Sequence, residues 1–300
     1  MYNYTLKNLS QLSGLEEQMI ILWNKKFKLF GEEKIDKNSL FNADNLKKLI
    51  IISFLINSNK KFTVEKLSLK NLDELQVISE FEIQNYLQRN KDYQPLIRMM
   101  IVSCFSYDSK SFDTILTVCF KKLGIEAGCI KIVFPFIETM SEILEMHSVQ
   151  ESIKSFSKNL IRKHLFYLTK SLPYSEVKNR RWLLFLPENE THDIELLYTY
   201  LILKLNSEQG VYLGDNQSVE TIKECLDNIP ITHVLTFINR NYDTNSLFKY
   251  MSTIKEVYPH STIFVATYDK FSKDFQEDIP YINVNTPEMF LSYLDKIMTM

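Results

Sequence analysis

From about residue 177 onward the hydrophobic pattern changes period, and that change constrains the chain more than any other feature. Five short runs rich in β-branched and aromatic residues lie at 182–186, 210–213, 233–238, 262–267 and 281–284. Helical stretches at 193–207, 217–228, 243–258 and 286–298 alternate with them. Continuous apolar strands separated by helices belong to a parallel sheet covered on both faces. Five such units predict a flavodoxin-like (Rossmann-type) α/β domain over residues 177–300.

Upstream the period is helical. Amphipathic segments near 77–90, 93–105, 109–123 and 126–170, the last split near 147–149, predict a four- or five-helix bundle over 76–176. The first 75 residues read as shorter helices. Thr5 is placed to cap a helix carrying Leu6, Leu9 and Leu12, and Ser13-Gly14 ends it. A second helix from Glu16 to about Lys26 puts Ile20, Trp23 and Phe27 on one face. Two short helices across a glycine turn form a helix-turn-helix, and the polar, broken stretch 31–41 suits a wing. Asn42 or Asp44 then opens an apolar helix over 46–56, followed by a short one over 64–69.

Composition removes several function classes. Only six glycines occur, too few and too scattered for a Walker or Rossmann phosphate loop. Cys104, Cys119, Cys129 and Cys225 lack CxxC spacing and read as reduced thiols of a cytoplasmic protein. No signal peptide is visible, and the longest apolar run, 49–56, is too short to span a bilayer, so no membrane partner is expected. His192-Asp193 lacks further ligands at metal-site spacing, and no Ser or Cys nucleophile has a paired base, so the expectation is a non-enzyme without a metal. Asn179-Arg180-Arg181 reads as a solvated linker between bundle and sheet. Residues 1–75 hold twelve Lys and no Arg against nine Asp and Glu, a mild positive balance.

The segments Tyr4-Thr5-Leu6-Lys7-Asn8-Leu9, Leu12-Ser13-Gly14, Trp23 with Phe27, Asn159-Leu160-Ile161-Arg162, Leu183-Leu184-Phe185-Leu186-Pro187-Glu188, Glu190-Thr191-His192 and Tyr212-Leu213-Gly214 occur in an order that resembles the light- and cobalamin-responsive MerR-like transcriptional regulators. The resemblance spans the whole chain. It implies a multidomain α and α/β protein: an N-terminal winged helix-turn-helix (1–75), a central helical bundle (76–176) and a C-terminal cobalamin-binding-type parallel sheet (177–300). It further implies double-stranded promoter DNA as partner and an oligomer, either of identical chains or with a related regulator. Lys25, Lys26, Lys28, Lys34, Lys37 and Asn38 are then the DNA-contacting candidates, and His192, oriented by Glu190, the candidate cobalt ligand.

Departures from the family pattern are specific. Ile21 and Leu40 stand where the family carries arginines, and Glu16 where it carries a basic residue. Glu195 replaces the glycine that lets the cofactor tail pass, and Ala266-Thr267 replaces two glycines. A loop histidine bonded to Glu190 or Asp193 is therefore a competing reading of His192, and no cofactor is certain. The expected function is DNA-binding transcriptional regulation with a degenerate cobalamin sensor. The alternative is a protein-interaction module, an antirepressor or hetero-oligomer partner, that has lost specific DNA binding.

Overall fold

Capping chemistry sets the helix ends in the computed structural model, which describes residues 4–31, 34–147, 151–173, 180–190, 193–238, 242–267, 281–284 and 286–298. After strand β1 (Tyr4–Thr5), helix α1 (Leu6–Ser13) starts with a reciprocal box: Thr5 Oγ1 accepts from the Asn8 amide and Asn8 Oδ1 from the Thr5 amide. Gly14, at φ 72°, closes it in the left-handed region. Helix α2 (Glu17–Phe27) turns Ile20 and Trp23 inward. The buried Asn24 side chain accepts from the Phe30 amide at 3.0 Å and fixes the chain's exit. Strand β2 (Leu40–Phe41) returns antiparallel to β1, with Tyr4 opposite Phe41 and Thr5 opposite Leu40.

Residues Met1–Leu160 make one compact unit. Within it α3 (Ala43–Ser58), capped by Asn42, packs against both α5 (Leu72–Arg89) and α6 (Gln94–Phe105), with the short α4 (Val64–Ser68) between. Helix α6 buries Leu96, Ile97 and every residue from Met99 to Phe105, the signature of a helix enclosed on all sides. Helices α7 (Ser109–Leu123), α8 (Ile125–Gly128) and α9 (Phe134–His147) complete the bundle. The sequence pattern did not reveal the turn of π-helix at Cys129–Val133. It precedes Pro135, whose ring crowds the carbonyl four residues back, and the Phe134 amide bonds Cys129 O instead. Helix α10 (Glu151–Ser171) runs across the boundary between the units.

A polar seam crosses the first unit. Lys47 of α3 pairs with Asp108, the cap of α7, and Gln76 of α5 donates to Asp108 and to Ser111. Burial works against the Asp108 charge, but Lys47 and the Ser111 amide and hydroxyl, which donate to it, outweigh that and hold its carboxyl below the usual range. The adjoining cavity of about 20 Å³, edged by Lys47, Gln76, Ser79 and Ser103, has room for one water and no cofactor.

The second unit, Ile161–Met300, contains the expected parallel sheet. Its strands are β3 (Arg181–Pro187), β4 (Gln209–Gln217), β5 (His233–Phe237), β6 (Thr262–Ala266) and β7 (Ile282–Val284), in spatial order β4-β3-β5-β6-β7, all parallel. Numbered from the first strand of the sheet this is 2-1-3-4-5, the flavodoxin-like order. Helices α12 (Val219–Asn228) and α13 (Thr244–Val257) pack on the face carrying Leu183, Phe185, Val234 and Val265. The opposite face receives α11 (Asp193–Leu205) and α14 (Pro287–Met298), with Trp182 and Phe264 against Phe290.

Arg180 is not the solvated linker residue expected. Its guanidinium forks onto the buried Glu208 at 2.9 and 3.3 Å, and the Trp182 indole N–H donates to the same carboxylate at 3.2 Å. The pattern misled because Glu208 lies 28 residues away and meets Arg180 only once the sheet forms.

Candidate functional site

Two places on the chain carry candidate residues. The first is the outer side of α2 and the connection that follows it. Lys25 and Lys26 stand exposed in the last turn of α2 and Lys28 just beyond it; Lys34, Lys37 and Asn38 are exposed along the way to β2. Asn38 donates its amide to Asp36 Oδ1 at 2.8 Å, and the Asp36 amide donates to Ser39 Oγ at 2.9 Å, which shapes the turn before β2. The rest of the outward face of α2 is Gln18, Met19 and Leu22, with both apolar side chains 42% exposed. Ile21, at a position where the family resemblance implies an arginine, is half-buried, and Leu40 is exposed on β2.

The second place is the carboxyl edge of the sheet. Strands β3 and β5 are neighbours whose following helices lie on opposite faces, and open α/β sheets bind ligands at such a switch point. After β3 the chain turns through Glu188 and Asn189, which adopts φ 66°. Glu190 is buried there and donates its amide to Pro187 O. His192 lies outside the described residues. Arg162 of α10 forms an ion pair with the buried Asp193 at the start of α11, and its other nitrogen lies 3.9 Å from Asp215. Tyr212, packed against Phe166 and Tyr200, is pushed up to about 12 by burial and by the Asp193 and Asp215 charges.

On the other face of this edge, Tyr250 of α13 ties the strand ends together. Its hydroxyl donates to Gln217 O at 2.7 Å and accepts from the Glu188 amide at 3.3 Å, while its ring lies on Phe185. Asn189 donates its amide to Asn216 Oδ1 at 3.4 Å. Sequence reasoning placed Arg162 only in a segment of the family resemblance and gave it no partner, and it missed Tyr250, because each acts across 31 or more residues.

No protein-family model matches the sequence, and no curated protein matches it. A solved structure of the monomethylamine corrinoid protein of Methanosarcina barkeri superposes with a TM-score of 0.52 over 70% of this chain and all of that one, at 15% identity. The two chains share a fold. A cobalamin-binding protein of Desulfitobacterium hafniense (TM-score 0.35, 10% identity, 67% of this chain and 97% of that one) and the methanol:cobalamin methyltransferase complex of Methanosarcina barkeri (0.35, 12%, 73% and 84%) are more distant.

A helical bundle and a Rossmann-like parallel sheet are therefore present, in the fold of that corrinoid protein. The side chains at the edge are less so. Thr236, level with Phe185 and Val265, buries a hydroxyl that has no hydrogen-bond partner among the described residues, a feature that would suit a ligand. Against that one atom stand Glu195, partly buried in the first turn of α11 where the family resemblance implies a glycine, and Tyr250, whose hydroxyl ties the ends of β3 and β4 together. These residues do not fit a corrinoid tail.

No three His, Cys, Asp or Glu side chains among the described residues converge as metal ligands, and no helix among them is long and apolar enough to cross a membrane. Burial pushes the thiols of Cys104, Cys119 and Cys129 upward, away from the thiolate a nucleophile needs.

Proposed function

We propose that this chain is a cytoplasmic, oligomeric, non-enzymatic regulator of transcription that binds double-stranded promoter DNA through its first 75 residues, and whose corrinoid-type unit has given up cobalamin. The observation that carries the reading is the arrangement of α1 and α2 across the left-handed Gly14, held by the β1–β2 ladder, with the exposed Lys25, Lys26 and Lys28 at the end of α2. A second helix presented in this way is what enters a major groove, while lysines at its end neutralise phosphates. Glu190, buried in the turn after β3, then has no cobalt ligand to orient.

The test is fluorescence anisotropy of the purified full chain on DNA from upstream of its own gene, with shuffled DNA as competitor. Binding that resists the competitor supports the reading, and binding no better than to shuffled DNA sinks it. Incubation with hydroxocobalamin followed by desalting should leave no visible absorption band on the protein; a retained band overturns the loss of cobalamin.

One observation favours a second reading, a protein-interaction module pairing with a related regulator. Met19 and Leu22 on α2 and Leu40 on β2 expose apolar surface that a partner chain could bury, and Leu40 stands where the family resemblance implies an arginine. Failure on DNA together with a stable hetero-oligomer would establish it.

A further inference from the structure

We infer that the α2 surface selects A·T-rich duplex and reads the thymine methyl group, an inference that rests on the DNA-binding reading above. The outward side chains of α2 are Gln18, Met19, Leu22, Lys25 and Lys26. Ile20, Trp23 and Asn24 face the core and are unavailable. Guanine is most commonly read by an arginine or a lysine on its O6 and N7, and the lysines of α2 stand in its last turn, away from the N-terminal part of a recognition helix that reaches base edges. This chain has no arginine before Arg89, so neither α2 nor the connection to β2 can supply one.

What the face does offer matches the other base pair. A glutamine amide donates to adenine N7 and accepts from its N6 amino group as a pair. Met19 and Leu22 lie one helical turn apart, both 42% exposed, and present flexible apolar surface. In the major groove the apolar partner of such surface is the C5 methyl of thymine. Over a G·C pair the same side chains would cover guanine O6 and the cytosine amino group without bonding them, and unpaired polar groups penalise that placement. Lys25 and Lys26 give affinity without sequence, while Glu16 and Glu17 at the start of α2 keep that end off the phosphates.

The experiment is anisotropy of the full chain on four duplexes of equal length: A·T-rich, G·C-rich, A·T-rich with every thymine replaced by deoxyuridine, and G·C-rich with 5-methylcytosine. Deoxyuridine keeps the pairing and removes only the methyl. The A·T-rich duplex is expected to bind on the order of tenfold tighter than the G·C-rich one. Deoxyuridine should remove much of that preference, and 5-methylcytosine should restore part of it. Leu22→Ala should lose the methyl dependence and Gln18→Ala the remaining A·T preference, each with an unchanged far-UV circular dichroism spectrum. Equal affinity for the A·T- and G·C-rich duplexes, or indifference to deoxyuridine, overturns the inference and leaves DNA binding standing. Failure to bind any duplex overturns both.

Discussion

Replacing Gly14 with alanine should damage the first unit through two separable effects, and the structure gives a size for each. Gly14 sits at φ 72°, where an L side chain costs roughly 1–2 kcal/mol. A Cβ there would also lie 2.7 Å from Arg98 Cζ and 2.9 Å from Arg98 Nε and Nη2. Arg98 belongs to α6 and donates through Nη1 to Gln11 O at 3.1 Å and Leu12 O at 3.2 Å, so it caps the end of α1. The guanidinium is the end of a flexible side chain and can move, but only by giving up those bonds, together about 1.5–3 kcal/mol for charge-assisted contacts. Gly14→Ala should therefore cost about 3–5 kcal/mol in the native background but only about 1–2 kcal/mol when Arg98 is already alanine. Urea unfolding of the four proteins, followed by tryptophan emission and far-UV circular dichroism, closes the double-mutant cycle. Equal costs for Gly14→Ala in both backgrounds would refute the role given to Arg98. A cost well below 1 kcal/mol in the native background would refute the backbone reasoning as well.

On upstream DNA, Lys25→Ala and Lys26→Ala should each lower the dependence of log affinity on log salt by about 0.9; an unchanged slope removes that lysine from the contact set. Glu208→Ala strands Arg180 and the Trp182 indole N–H beside an emptied buried site and should cost about 3–5 kcal/mol in urea unfolding; Glu208→Gln keeps one carbonyl oxygen that can accept from Arg180 Nε and the Trp182 indole but sets an amide N–H against Arg180 Nη2, so it should cost less than alanine, and equal losses would mean that the carboxylate's charge rather than the remaining hydrogen bonds holds the pair. His233 is pushed down from 6.5 to about 4 by burial, with Arg180 adding to the shift and Glu208 opposing it. Between those values the unfolded chain binds more protons than the folded one, so this stability is intact above pH 6.5 and is lost as the pH falls towards 4. Partial exposure limits the effect to on the order of 1–2 kcal/mol, and His233→Asn should remove that part of the slope between urea midpoints at pH 7 and pH 5.

How much was legible in advance depended on the range of the interaction. Thr5, Gly14 and Asn42 act within a few residues, so their capping roles are written in the local sequence and recur in the structure. The five strands follow from apolar runs that need no partner to be recognised, and each lies within a few residues of its expected place. Arg180, Arg162, Arg98 and Tyr250 resisted the same reasoning. Each bonds a group 28 or more residues away, and nothing in the local sequence names that partner. Reading the site from a family pattern has the same weakness in another form. Glu190 keeps its place, but whether a tail can pass is decided by Glu195, and on the far side of the sheet by Tyr250, which no pattern around His192 contains. The bulk at Glu195 and the Tyr250 bonds to Gln217 and Glu188 act on opposite faces of one edge. Reopening it for a corrinoid therefore requires Glu195→Gly and Tyr250→Phe together, and the double variant should gain cobalamin retention that neither single change gives.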